Sequence, residues 1–394
     1  MTVTPTAPRG RPRVIAVVSD AIYPYHMGGK EIRYHHIVSG LVERGFEVHV
    51  FTMRWWDGPP DRFEDGVHYH ALCRNHNMYR GSTRSIYQAV MFGLACLRLL
   101  RFRFDLIDAD HMPHLQLFTI RAVSLVKRVP LVVTWHEFWG FAYWRKYLGP
   151  LGMIAGVIEL LAVRVSDQTI TPSPVTRARL IDHGAVPGHV TVVPNGVDLP
   201  AIAASPRSQR AYDLLFVGRL IEHKHVDVLI SAVGELGRVG IVVTCAIVGE
   251  GPEGDRLVAI AEREGCADRV EFMGGLDEQA EIFGLMKSAN LLVLPSTREG
   301  YGIVVAEAIA CGLRVVTTRH EDNQARLLVD EGANGWLCDA TTASLVAVLR
   351  SILTAGVPPH DARDVERFGW DPAVAEVVAV HDRALTVRSR RRAR

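Results

Sequence analysis

Neither sign of charge prevails in this sequence: 44 Lys and Arg stand against 43 Asp and Glu, for a formal net charge of +1. Broad nucleic-acid binding needs a dominant cationic face, so no nucleic-acid partner is expected. The run 388–394 is basic, but so short a tail reads as a solvated end. Cysteine is sparse as well. Cys73, Cys96, Cys245, Cys266, Cys311 and Cys338 show no C-x-x-C spacing and nothing like the density of a disulfide scaffold. Four of them sit in apolar surroundings, where a free thiol behaves as a small hydrophobe, and a reducing, cytoplasmic location is expected. The chain also lacks any apolar run of the roughly 20 residues that span a bilayer. Residues 86–100 and 148–163 come nearest, but Arg98 and Glu159 interrupt them, so both read as buried helices. Residues 1–13 are polar and hold no apolar stretch of the signal-peptide kind. The segment 138–147, rich in Phe, Trp and Tyr and carrying Arg145-Lys146, suits core packing first, then a sugar pocket or peripheral contact with a membrane surface.

What is present is length and alternation. At 394 residues, 48% of them apolar, the chain has material for two cores. Short β-branched runs alternate with helical stretches, as in parallel α/β sheets. The first series of strands covers 14–19, 47–52, 67–72, 106–109, 131–134, 168–171 and 190–193, with a helix over 30–43 that stops at Gly45. Residues 199–210 read as a linker. The second series covers 214–217, 242–248, 270–273, 291–294 and 315–318, and 372–387 forms a last amphipathic helix. The reading is therefore α/β, two doubly wound Rossmann-like domains. Their expected bounds are 1–200 and 201–365, with 366–394 a terminal helix returning to the first. Ligands bind outside the carboxyl ends of such strands, so a cleft between the domains is the default active site.

One motif misleads. Gly249-Glu250-Gly251-Pro252-Glu253-Gly254 matches G-x-G-x-x-G, with Glu271 placed like a ribose acid. Two glutamates would then flank a pyrophosphate, and the motif follows the second strand of its domain where the fingerprint belongs on the first. A tight turn before a helix is the better reading.

Three other places carry chemistry. Gly28-Gly29 open the first helix, where bare amides and the helix dipole favour a phosphate. Gly218-Arg219, with Lys224 five residues on, put two cations at the end of the first strand of the second domain, a plausible clamp for a diphosphate. His223 and His225 flank Lys224 without the carboxylate or cysteine that would complete a metal set. In Ser296-Thr297-Arg298-Glu299-Gly300-Tyr301-Gly302-Ile303-Val304-Val305-Ala306-Glu307, Glu299 lies in a loop. The Ile303 and Val304 amides start a helix, and Glu307 follows one turn later, in reach of ribose hydroxyls. Dipole compensation would explain Glu307, but Glu299 precedes the glycines and caps nothing.

Two glycines before the first helix, G-R-L-x-x-x-K, and E-x7-E after an L-P-S strand end together resemble the large retaining GT-B glycosyltransferase family 4. Arg44-Gly45-Phe46-Glu47-Val48, Val193-Pro194-Asn195-Gly196-Val197-Asp198 and Gly249-Glu250-Gly251-Pro252 spread the likeness over nearly the whole chain. The resemblance implies a nucleotide-sugar donor, UDP favoured over GDP, giving up a hexose with retention. It implies donor phosphate contacts at Gly28 and Gly29, a diphosphate clamp of Arg219 and Lys224 beside Gly218, and base contact at Met273 and Gly274. Gly302, Ile303 and Val304 would bind the donor through their amides, Glu307 the ribose, and Glu299 the transferred sugar. His136 resembles the histidine at the donor's reacting face, which makes His136, Glu299, Arg219 and Lys224 the candidate catalytic set.

The sequence departs from the family where Arg319-His320-Glu321-Asp322-Asn323-Gln324 replaces a Gly-Gly-Glu pattern, where Leu327 stands at a common Glu, and where His225 follows Lys224. These departures bear on sugar preference. Asp108-Ala109-Asp110 has the letters of a D-x-D metal motif but lies in the acceptor domain. No metal and no cofactor is expected. A phosphorylase or epimerase of the same fold lacks its own signature residues here, and a non-catalytic nucleotide-sugar-binding protein would lack Glu299 or Arg219. Tyr25, His26, His111, His114, Trp135, Trp139 and Trp144 are expected on the acceptor side, suited to a saccharide, a natural product or a lipid-linked sugar. The lack of a strongly basic amphipathic helix favours a water-soluble acceptor.

Overall fold

The computed structural model describes residues 11–80, 83–276, 278–358 and 365–392, with side chains omitted at 79–80 and 388–392. The expectations for residues 1–10 and for the side chains of the basic run 388–394 lie outside the described part. The chain divides into unit 1, Met1–Pro194 with Ala373–Arg394, and unit 2, Asn195–Pro372.

Unit 1 is built on one eight-stranded sheet. In chain order its elements are β1 (Val14–Val18), α1 (Gly29–Glu43), β2 (Glu47–Arg54), β3 (Asp61–Glu64), β4 (Val67–Arg74), the hairpin β5 (Tyr79–Arg80) and β6 (Thr83–Arg84), and α2 (Ile86–Ala95). There follow β7 (Leu106–Asp110), α3 (His114–Lys127), β8 (Leu131–Thr134), α4 (Gly140–Leu148), α5 (Gly152–Ala162), β9 (Gln168–Thr171), α6 (Pro174–Asp182) and β10 (Val190–Val192). The strand order is β10-β9-β8-β7-β1-β2-β4-β3, parallel except for the β3–β4 pair. Every residue of β1, Val-Ile-Ala-Val-Val, is buried, as befits a strand covered on both faces. The order reverses between β1 and β7, so the loops after those two strands flank a switch point, the place where ligands bind in open α/β sheets.

Unit 2 holds α7 (Leu199–Ala204), β11 (Leu214–Val217), α8 (Val226–Arg238), β12 (Cys245–Val248), α9 (Gly254–Arg263), β13 (Val270–Gly274) and α10 (Gln279–Ser288). Then come β14 (Leu291–Leu294), α11 (Ile303–Ala310), β15 (Arg314–Thr318), β16 (Gly335–Cys338) and α12 (Thr342–Ala355). Its six strands run β13-β12-β11-β14-β15-β16, all parallel, with the switch point between β11 and β14. The last helix, α13 (Trp370–Arg392), is assigned to unit 1 from Ala373 onward. There His381 Nε2 lies 2.8 Å from Asp108 Oδ2.

Several expectations need correction. The segment 199–210 is no plain linker: Asp198 accepts from the Ala201 amide at 2.9 Å and starts α7. β3, Asp-Arg-Phe-Glu, was hidden by its charge, which protects an exposed edge strand from pairing with other chains. β12 begins at Cys245, not 242, where Val242 is exposed. The helices over 86–100 and 148–163 are not buried. α2 and α5 turn large apolar side chains outward, among them Leu94 at 57% and Ile154 at 59% exposure. Among the described residues, no helix is long and apolar enough to cross a membrane. All six cysteines are free, four of them buried.

Candidate active site

In unit 2 the sheet delivers its chemistry at the switch point. β11 ends in Gly218, and the loop beyond it carries Arg219 into solvent. That loop is stapled to the Gly249–Glu253 turn: the Gly218 amide donates to Val248 O at 2.9 Å, Leu220 N to Glu250 O at 2.9 Å, and Glu253 N to Leu220 O at 3.1 Å. A Cβ at Gly249 would meet Gly218 O at 2.0 Å, and one at Gly251 would meet Leu220 O at 2.2 Å. The glycines of the misleading G-x-G motif thus serve close backbone approach, and the turn positions the cationic loop.

The next strand across the switch point, β14, leads to Glu299. Lys224 Nζ donates to Glu299 Oε1 at 2.5 Å, with both side chains largely buried at 14% and 11% exposure. This pair joins the two loops that the sequence had placed 75 residues apart. Thr297 N donates to His223 O at 3.0 Å, Glu299 N to Asp322 O at 3.1 Å, and Gln324 N to Glu299 O at 3.0 Å, so both arms of the Glu299 loop are fixed. Asn323, in the segment that departs from the family pattern, is fully buried. Its Nδ2 donates to Thr317 Oγ1 and Thr318 O, both at 2.9 Å, and its Oδ1 accepts from Ala325 N. The departure preserves a structural support for Glu299.

Helix α11 begins at Gly302, whose φ of +86° is left-handed. A Cβ there would also meet Ala325 Cβ at 2.3 Å. Gly302→Ala is therefore expected to cost roughly 1–3 kcal/mol in urea unfolding, from backbone strain alone. The amides of Ile303 and Val304 have no intrahelical acceptor at this start, which leaves them for an anion. Glu307, half-buried one turn on, accepts from Gln279 Nε2 at 3.2 Å. Burial pushes its pKa up to about 7, against which the Gln279 bond pulls only partly. Met273 stands apart on edge strand β13, two strands from β11, and lines a separate recess of about 770 Å³ with Arg207 and Leu276.

In unit 1 the switch point holds a buried ionic network. Lys30 Nζ donates to Asp20 Oδ1 at 2.6 Å and to Asp110 Oδ2 at 2.5 Å, and both carboxylates are fully buried. Burial opposes the Lys30 charge, but Asp110, then Asp20 and Glu31, hold its pKa above the ordinary lysine value. Burial likewise opposes the Asp110 charge, yet Lys30 and the His111 hydrogen bond hold it far below the ordinary carboxylate range. Arg84 and Gln88 complete the surroundings of Asp20, at 3.3 and 3.0 Å from Oδ2. His136 follows β8 with Nε2 3.6 Å from Asp110 Oδ1, and burial lowers its pKa to about 3 despite that carboxylate. Gly28 and Gly29, both exposed, form the N-cap and first position of α1.

Asp110, His111 and His136 bring atoms able to ligate a metal within 4.8 Å of one another, but the Lys30 ammonium already occupies Asp110. The other aspartate of the D-x-D letters, Asp108, accepts from Tyr34 Oη at 3.3 Å and is engaged by His381.

The family rests on sequence likeness along both units. Residues 201–365 match the family described as glycosyl transferases group 1, and residues 27–200 match glycosyltransferase family 4. Over 395 residues the chain is 32% identical to a D-inositol 3-phosphate glycosyltransferase of Segniliparus rotundus, covering 91% of this chain and 85% of that protein. The chain belongs to the group 1 glycosyl transferases of family 4. This glycosyltransferase is also 29% identical over 358 residues to a glycogen synthase of Mycobacterium tuberculosis, with 86% of each chain covered. Among solved structures it is similar to a sucrose-phosphate synthase from Thermosynechococcus elongatus, with a TM-score of 0.76 at 18% identity over 95% of this chain and 100% of that one. It is similar to Anabaena HepE in complex with UDP-glucose, with a TM-score of 0.68 at 20% identity over 93% and 99%. The glycosyltransferase has the GT-B fold.

On the acceptor side the structure separates walls from core. Tyr25 is exposed and receives a hydrogen bond on Oη from Arg62 Nη1 at 3.2 Å. His26 packs edge-on to Trp55, and Trp139 is half-buried with its Nε1 donating to Glu137. Trp135 is wholly buried, and Trp144 is buried with its Nε1 donating to Glu159 Oε2 at 2.9 Å. Trp135 belongs to packing, whereas Trp144 also lines a cavity with Leu148 and Ala155. His111 and His114, also buried, stand behind the ionic network and the Trp135 ring. The residues that the sequence reading missed in this glycosyltransferase are Asp20, Lys30, Asp110 and Gln279. Lys30 left a signal by following Gly28-Gly29 directly, and Asp110 by the D-x-D letters it shares with Asp108.

Proposed function

We propose that this glycosyltransferase moves a hexose-type sugar from a UDP-sugar to an acceptor hydroxyl with retention and without a metal ion. The observation that carries the reading is the Lys224–Glu299 pair at the unit 2 switch point, with Arg219 exposed on the same loop and the free amides of α11 close by in the chain. Two cations and helix amides suit a leaving diphosphate, whose growing charge they neutralise in the transition state. Donor phosphate draws Lys224 away from Glu299, and the released carboxylate then accepts from hydroxyls of the transferred sugar. The acceptor oxygen bonds to the anomeric carbon on the face from which the UDP oxygen departs, and its proton passes to a donor phosphate oxygen. In unit 1, His136 is kept neutral by burial, and Gly28 and Gly29 are exposed at the start of α1. The UDP-glucose complex of HepE supports a uridine donor, and the six free thiols support a reducing, cytoplasmic setting.

The test is a panel of UDP- and GDP-sugars screened by thermal shift, followed by transfer or slow donor hydrolysis with proton NMR of the released anomer. A UDP-sugar should stabilise the protein, the first-formed product should keep the donor's anomeric configuration, and EDTA should leave the rate unchanged. An inverted product or EDTA-sensitive turnover contradicts the reading.

Glu307, read as the ribose ligand, gives a pH signature. Ribose hydroxyls donate more strongly to the ionised carboxylate, so UDP affinity should rise from pH 6 to pH 8, with proton uptake by buffer in calorimetry. Glu307→Gln should weaken UDP by about tenfold and flatten that profile. Stability has the opposite sign. A folded pKa near 7, above the ordinary 4.5, means stability falls as pH rises between those values and stays low above 7. Glu307→Gln should thus raise Tm at pH 8 and leave it unchanged at pH 4.

A further inference from the structure

Helix α5 is built inside out. Its inward residues are Gly152, Gly156, Glu159 and Ala162, while Ile154, Val157 and Leu161 are 59%, 47% and 52% exposed. A helix that faces water has the opposite polarity, with its apolar stripe inward and its charge outward. α2 and the turn after it repeat the pattern. Ile86, Val90, Leu94 and Leu97 fall three or four residues apart on one stripe, each 40% exposed or more, while Gln88 is fully buried. Helix α3 packs against both α2 and α5. Monomeric soluble proteins rarely leave apolar faces of this extent in water.

The two stripes border one cavity of about 260 Å³, lined by residues of α2, α4 and α5. Met112, Leu115, Trp144, Leu148, Ala155 and Ile158 give it apolar walls. Its polar end is Arg84 and Gln88, the same side chains that hold Asp20 in the unit 1 network. The cavity therefore runs from the switch point of unit 1 to the exposed apolar faces.

Charge names the occupant. Segments 84–104 and 138–165 carry seven basic residues, Arg98, Arg101, Arg145 and Lys146 among them, and a single acid, Glu159, which is buried. An apolar face whose own helices carry exposed cations and no exposed acid complements an anionic lipid surface. A second copy of the chain would bring the same cations and be repelled.

We propose that this glycosyltransferase works on an anionic bilayer surface and glycosylates a lipid-linked acceptor, whose alkyl chain lies in the α2–α5 cavity and whose hydroxyl-bearing head lies at the unit 1 switch point. This deepens the glycosyl-transfer reading above and rests on it. It replaces the water-soluble acceptor favoured from sequence, because the apolar stripes are turned outward, which periodicity alone did not reveal.

The test uses the full-length chain and three probes. In co-sedimentation it should bind vesicles of phosphatidylcholine with phosphatidylglycerol, fail to bind phosphatidylcholine alone, and release on added salt. Leu94→Glu with Leu161→Glu, both at exposed positions, should weaken vesicle binding by about tenfold or more. Dodecyl phosphate should bind by calorimetry, and Ala155→Phe, which fills the cavity, should weaken it about tenfold while the double variant leaves it unchanged. UDP should bind all three proteins equally. Normal UDP binding with no response to vesicles or dodecyl phosphate overturns the proposal and spares the donor reading. Absence of UDP binding in the unmodified chain overturns the donor reading and the transfer step with it. Self-association that the double variant abolishes, without vesicle binding, makes the face a contact between copies and likewise overturns the proposal.

Discussion

Lys224→Ala should lower kcat by about 100-fold or more, the scale on which removal of one charge-stabilising donor is felt in a transition state. Lys224 starts this expectation from a committed position: its ammonium is 2.5 Å from Glu299 Oε1, and both side chains are largely withdrawn from water. Truncation also strands Glu299 as a partly buried, unpaired carboxylate, so some loss of Tm accompanies the loss of rate. Glu299→Gln separates the two effects. It keeps the volume, removes the stranded charge, and should leave the double variant more stable than Lys224→Ala while activity stays low. Steady-state transfer with a UDP-sugar, read with thermal melts of all four proteins, closes the cycle. Near-normal kcat for Lys224→Ala would refute the clamp.

Lys30→Met should destabilise the protein by about 3–5 kcal/mol, the usual result when one partner of a buried ionic group is removed. Two buried aspartates, Asp20 and Asp110, would be left with no ammonium between them. Urea unfolding followed by fluorescence suits the test, since five of seven tryptophans, Trp55, Trp56, Trp135, Trp139 and Trp144, precede Pro194. The pH dependence follows from the two shifts. The Asp110 contribution, from a depressed pKa, is present above the ordinary carboxylate pKa and is lost as pH falls below it. The Lys30 contribution, from a raised pKa, is present below the ordinary lysine pKa and is lost as pH rises past it. The cost of Lys30→Met should therefore be greatest near neutrality and shrink in acid. An equal cost at pH 7 and pH 3 would contradict this account.

Much of this was legible in the sequence for physical reasons. The β1 and β14 runs are apolar along their whole length because parallel strands are covered on both faces. The spacing from Gly218 to Lys224 and from Glu299 to Glu307 is local, so each stretch announced its chemistry. What periodicity could not show was partnership across the sheet. Nothing in the order of residues says that Lys224 reaches Glu299, or that Lys30 lies between Asp20 and Asp110, because only the crossover connections bring those loops together. The direction of an apolar stripe was equally hidden. A helix such as α5, with glycine and glutamate inward and isoleucine outward, has the same composition as a buried one. Trp135 was misplaced for the converse reason: an aromatic ring serves a core as well as a sugar wall.

The central claim is that the unit 2 loops after β11 and β14 hold the donor diphosphate, and isothermal titration of UDP into the unmodified chain and Arg219→Ala tests it most directly. Arg219 is exposed and has no ion pair among the described residues, so its loss should leave the fold intact. The account predicts that Arg219→Ala binds UDP about 10- to 100-fold more weakly, the worth of one hydrogen bond to a charged group. It also predicts that added salt weakens the unmodified chain more than the variant. Equal affinities and equal salt dependence in the two proteins would contradict it.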